Sequence, residues 1–345
     1  MSNSKRWTGS RNTSEEDREA ARLTAESFRH YDSDSSLTLS TPQVVRAGKI
    51  GGLPFDTLTT DLFGGCLPGR EVCYGNCFAA RAAYAAGTDF GARMPNILDR
   101  DVLCADLERL PPSQKFLRNG WNSDPSWNWR NALVLSQWIR EAGRLTIFNT
   151  KSFTSLQPET IRSLAAAKAE LWVCVSAFDS DAQIEHRIDT IETFREAGGC
   201  AVPLVMTTRF SEPKLNEKQD QLVQYMTRHD LPAAENSLRF APTSPVMAIL
   251  DRGSMRQIAS TGIFGADACI QASFAFRLLR LCLPATPVYR VAIFPATTSI
   301  SSTAFFSIRC TLTKKFSQVH RSKSRYRPGF RWFISHSAPL HSMSA

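Results

Sequence analysis

Three cysteines fall within twelve residues in the stretch Cys66-Leu-Pro-Gly-Arg-Glu-Val-Cys73-Tyr-Gly-Asn-Cys77, spaced C-x6-C-x3-C. Thiolates gathered on one short loop hold an iron–sulfur cluster or another soft metal centre. Gly64, Gly65, Gly69 and Gly75 surround them, and Pro68 stiffens the first part of the loop. Such glycines let a backbone close tightly around an inorganic centre without Cβ clashes. The competing reading is three thiols that only pack in a core, but the loop has few large apolar neighbours to favour it. A closed structural zinc site takes four protein ligands. This loop offers three, with no histidine near it. A four-iron cluster held here keeps one iron open for a substrate or cofactor, unless a distant cysteine supplies a fourth ligand.

The elements on either side must position that loop. Residues 57–63 read as a strand running into it, and residues 78–86 are alanine-rich and helix-forming. Further strands are predicted to start near 115, 144, 170, 201 and 237. Between them Leu135, Trp138, Ile139 and Ala142 share one helical face. Ile161, Leu164, Ala165 and Lys168 share another, and Leu215, Leu222 and Met226 a third. Ile184, Ile188 and Ile191 mark a helix that Gly198-Gly199 ends. From the second strand on, the starts lie about 30 residues apart, the length of a βα unit. The pattern predicts an α/β fold with a mainly parallel sheet covered by helices. Six such units make a partial (β/α)6 barrel, two short of the closed eightfold form.

Barrels of this kind carry functional groups at the C-terminal ends of their strands. That rule nominates Asn122 and Asp124, Asn149 and Lys151, Ser176 and Asp179, Thr208 and Arg209, and Thr243 and Ser244. Each competes with a helix-capping role, Asp179 and Ser180 most plainly. Lys151 closes an apolar strand, where a charge must find a partner. Trp121, Trp127, Trp129 and Trp138 fall within eighteen residues; they either stack on adenine or a substrate base or pack beneath a long loop. His186 is read as a helix-surface residue. No H-E-x-x-H, G-x-S-x-G, P-loop or Rossmann fingerprint is present.

A strand, a three-cysteine loop and five further βα units resemble the radical S-adenosylmethionine (radical SAM) superfamily, over roughly residues 54 to 250. The segment Trp172-Val-Cys-Val-Ser-Ala-Phe-Asp179, with Ile184-Glu-His-Arg187 and Phe194-Arg-Glu-Ala-Gly198, is similar to the fourth strand and helix of that fold. The aromatic-Ala pair Phe78-Ala79 after Cys77 is similar to a set of poorly characterised members. The family's common spacing is C-x3-C-x2-C, shorter than the one here. The resemblance implies that Cys66, Cys73 and Cys77 ligate a [4Fe-4S] cluster whose open iron chelates S-adenosylmethionine. Reductive cleavage of the sulfonium then yields a 5′-deoxyadenosyl radical that abstracts hydrogen from a substrate. The family's glycine-rich run after the second strand, which holds the cofactor's amino group, is not present in recognisable form, and Asn119-Gly120 is the nearest candidate for it. Phe78, Asn149, Lys151 and Ser176 complete the implied cofactor contacts, and a small electron donor such as a flavodoxin or ferredoxin is the implied partner. The alternative is a non-catalytic metal- or cluster-binding protein that contacts nucleic acid through Arg and Trp. Ligand count separates the two: a fourth protein ligand favours the binding module.

The chain has 345 residues and a formal net charge of +9. Eleven Lys and Arg but no Asp or Glu lie from Ala268 onward, so the body before it is nearly neutral. The high isoelectric point therefore does not describe a nucleic-acid-binding body. Residues 1–50 are polar and expected to lie largely outside the fold, apart from a helix over 15–28. Residues 51–265 form the expected core. Residues 266–345 read as a basic arm or, preferably, as frameshifted sequence without function, given the scattered Phe and Leu. The absence of an apolar run of about eighteen residues and of a signal-peptide core points to a cytoplasmic protein without a membrane span, whose nine cysteines are ligands or free thiols.

Overall fold

The computed structural model describes residues 15–26, 37–48, 58–66, 77–240, 244–258 and 268–271. Helix α1 (Glu15–Glu26) is followed by the short strands β1 (Thr38–Leu39), β2 (Ala47–Gly48), β3 (Leu58–Thr59) and β4 (Phe63–Gly64). Helix α2 (Phe78–Ala85), β5 (Thr88–Asp89), β6 (Met94–Pro95) and α3 (Arg100–Arg109) come next. A regular alternation follows: β7 (Phe116–Asn119), α4 (Trp129–Glu141), β8 (Leu145–Thr150), α5 (Pro158–Ala166), β9 (Glu170–Ser176), α6 (Asp181–Glu196), β10 (Cys200–Thr207), α7 (Pro213–Arg228) and β11 (Ala234–Ser237). Strands β12 (Arg239–Phe240), β13 (Met255–Ile258) and β14 (Ala268–Gln271) end the described chain.

The alternation produces one seven-stranded sheet in the order β11-β10-β9-β8-β7-β3-β2. All neighbours are parallel except β2, which pairs antiparallel with β3. The α/β class and a mainly parallel sheet built from the expected strands are thus as the spacing predicts. Alternation along the strands explains the layers. Leu117, Phe148, Leu171, Val173, Val175, Ala201 and Val205 face the helices and pack on Leu135, Ile139, Leu164, Ile184, Ile191, Phe194 and Leu222. The opposite face carries Phe116, Ile147, Trp172 and Val202 as a smaller cluster, with Asn149 and Cys174 half-buried beyond it. Pro203 lies inside β10, where pairing with β11 begins only at Leu204, so its missing donor is tolerated.

Three boundaries differ from the sequence expectation. The sixth parallel strand begins at Ala234 rather than 237, because the polar Glu235 is accommodated by a 2.6 Å hydrogen bond from Thr207 Oγ1. The described parts of the polar N-terminal segment, residues 15–26 and 37–48, are tied in. Ala20 and Leu23 of α1 pack with Leu215, Phe240 and Val246, and Lys214 meets Glu16 at 2.6 Å. Val45 is fully buried, and Arg46 pairs with Asp106 at 2.6 Å. At the other end, β14 is the middle strand of an antiparallel sheet with β12 and β13, so the fold continues past residue 265. Residues 272–345 lie outside the described residues. No helix among the described residues is long and apolar enough to cross a membrane.

Candidate functional site

The segment after β3 and the loops after β7 and β8 meet at the C-terminal edge of the parallel strands. Gly65 makes the first turn of the cysteine segment with φ +98°; a Cβ there would lie 2.7 Å from the carbonyl oxygen of Phe90. This close approach lets the Cys66 amide donate to that same oxygen at 2.8 Å. Cys66 is buried among Ala79, Ala80, Tyr84 and Phe90, and Cys77, at the N-cap of α2, packs against the same cluster. Two of the three cysteines are thus brought to one place. Cys73 lies outside the described residues, as does the side chain of Phe78. Among the described residues no three His, Cys, Asp or Glu side chains gather as a metal site by themselves.

Trp127 sits on the short 3-10 turn after β7, capped by Asp124. Its indole Nε1 donates to Cys66 Sγ at 3.2 Å. One face of the indole stacks on Phe153, ring centroids 4.6 Å apart, and the Arg93 guanidinium lies 4.2 Å from its ring centroid. The other tryptophans scatter. Trp129 donates to the Thr154 carbonyl, and Trp138 lines a groove of about 580 Å³ with Arg100, Lys115 and Arg144.

Asp61 organises the next loop. Its carboxylate accepts the backbone N–H groups of Gly120 and Trp121 at 2.9 Å, of Ser123 at 2.6 Å, and of Asn122. Burial outweighs these bonds and pushes its acid up to about 6. Gly120 has φ +88°, and a Cβ there would lie 2.1 Å from the Asn149 carbonyl oxygen, so only glycine lets the loop rest on β8. Asn119 is not aimed at the mouth: its amide donates to Thr59 Oγ1 at 2.9 Å and to the Thr60 carbonyl. Its Oδ1 and Ser123 Oγ are buried without a hydrogen-bond partner among the described residues.

Asp124 holds the end of β8. It accepts from Thr150 Oγ1 and from the Lys151 amide, both at 2.6 Å. The Lys151 ammonium pulls on the Cys174 thiol, which burial nevertheless pushes up to about 11. Arg187 and Asp179, both buried, form an ion pair. Arg187 Nε donates to the Lys151 carbonyl at 2.8 Å, and Asp179 accepts the Ser176 amide at 2.8 Å. This pair therefore locks β8 to β9. Ser180, not Asp179, caps α6 through a capping box with Gln183. Ser176 is buried, its Oγ 3.3 Å from the Phe178 amide. Thr208 lies farther along the edge, its amide bound to Gln219. Ser244 is buried and Thr243 lies outside the described residues. His186 meets the Ser152 carbonyl at 2.7 Å.

Sequence reasoning missed Asp61, Arg93 and Phe153. An acid inside an apolar strand stretch was the available signal for Asp61; nothing local marks the other two. No family model and no curated protein matches this chain.

Proposed function

We propose that this protein is an iron–sulfur enzyme of the radical S-adenosylmethionine type, with a partial (β/α)6 barrel of that family. The observation that carries the reading is that buried Cys66 and partly buried Cys77 pack on one apolar cluster beyond the C-terminal end of β3 in a mainly parallel sheet, the side on which α/β folds bind ligands. The donor set fits a cluster. The Trp127 N–H aimed at Cys66 Sγ suits a thiolate, and Gly65 admits a backbone approach closed to other residues. Cys66 and Cys77, with Cys73 between them, would hold the [4Fe-4S] cluster. The cluster and bound S-adenosylmethionine supply the reductive cleavage that starts radical chemistry.

The chain's own residues bind and orient. The Asp61 carboxylate draws four consecutive N–H groups inward. In trans peptides the preceding carbonyls, of Asn119 through Asn122, then point the other way. That arrangement suits the cofactor's ammonium group. Asn149 and Lys151 border the same mouth, with Ser176 buried behind them. Trp127 and Phe153 shield the cysteine side from water.

Anaerobic reconstitution with iron and sulfide tests the reading. The expected result is about four irons per chain, lost when Cys66, Cys73 and Cys77 are replaced by Ala. With dithionite the loaded protein should cleave S-adenosylmethionine to 5′-deoxyadenosine. Iron binding no better than in the triple variant, or a full cluster without cleavage, would overturn it.

A further inference from the structure

We propose that Trp127 and Arg93 set the reduction potential of the centre that Cys66 helps to hold; the inference rests on the reading just given. Neither residue is a ligand. Trp127 Nε1 lies 3.2 Å from Cys66 Sγ. A hydrogen bond to a ligand sulfur places the positive end of a dipole beside the charge that reduction adds. It stabilises the reduced state more than the oxidised one and raises the potential. Cys66 is only 5% exposed, so water competes little for the sulfur and the dipole acts at low dielectric.

The indole is held for this role by two ring contacts. Phe153 stacks on one side at an interplanar angle of 18°. Arg93 lies over the ring at 4.2 Å, within cation–π range. Strand pairing explains why Arg93 is there. Strand β6 runs antiparallel to β4, with Met94 opposite Gly64, so Arg93, one residue before Met94, falls beside the turn that leads into Cys66. A guanidinium over an indole withdraws electron density and makes its N–H a stronger donor. Its own positive charge acts in the same direction. Trp127 therefore acts on the centre through its N–H, and Arg93 acts through the indole and through its own charge.

The test is an anaerobic redox titration, followed by electron paramagnetic resonance, of the full-length reconstituted chain. W127F keeps the stacked ring and removes the N–H. Its midpoint potential should shift to more negative values with iron per chain unchanged. R93Q should shift it the same way by less. If Arg93 acts through the indole, the double variant should add little to W127F. An unchanged potential in fully loaded W127F overturns the inference and leaves the cluster reading standing. Should W127F fail to load, R93Q, which leaves the indole in place, decides: an unchanged potential there overturns it. A wild-type chain that takes up no cluster overturns both.

Discussion

Asp61 shows how a single carboxylate can hold a site together and burden the fold. It is 4% exposed and accepts four amides, yet its acid is pushed up to about 6 by burial. In the unfolded chain an aspartic acid titrates near 4. Between these values the folded chain holds a proton that the unfolded chain has released. Stability is therefore greater at the low end of that window and falls as pH rises through about 6. A shift of two units corresponds to ~3 kcal/mol. Urea midpoints of the wild type should rise as pH is lowered from 7 to 5, and D61N should lack most of that rise. An equal rise in D61N would assign it to other groups, of which Glu170 and Glu235 are also raised by burial. An Asn at 61 also offers one acceptor oxygen in place of two. Loop 120–123 should then exchange its amide hydrogens faster in D61N.

At the scale of elements, side chains join the segments that follow the paired strands. Arg187, on α6, reaches the Lys151 carbonyl after β8 and the Asp179 carboxylate after β9. Removing one partner of such a buried pair leaves the other charge uncompensated and costs ~3–5 kcal/mol. R187M should lower stability by that order in chemical denaturation, and R187M/D179N should recover part of the loss. A loss in the double variant equal to that in R187M would place the effect in packing, not charge. Strand starts from β7 to β10 were legible to within about a residue, because continuous apolar runs mark strands buried on both sides. The start of β11 was not, because Ala234-Glu-Asn-Ser237 carries no apolar pattern and owes its strand to pairing with Leu204–Thr207.

For the whole molecule, the change of composition at Ala268 falls at the start of a paired strand. Strand β14 pairs with Met255–Ile258 on one side and Arg239–Phe240 on the other. Truncation after Gln271 should leave iron content and circular dichroism of the reconstituted protein unchanged. Truncation after residue 265 removes the middle strand, so it should lower thermal stability while the large sheet persists. Loss of the cluster on cutting after Gln271 would show that residues 272–345 belong to the site. The comparison needs matched salt, since any binding through a basic arm is salt-sensitive.

The alternation from β7 to α7 and the mainly parallel sheet were readable because they rest on local patterns, a period of 3.6 and apolar runs. What completes the site was not, since its partners are far apart in the chain. Asp61 finds the amides of 120–123 about sixty residues on. Trp127 reaches Cys66 from 61 residues away, and Arg187 reaches Lys151 from 36. Hydrogen-bond donors choose acceptors by distance and angle in space. Those are decided only when β3, β7, β8 and β9 lie side by side and bring the ends of four separate segments to one edge.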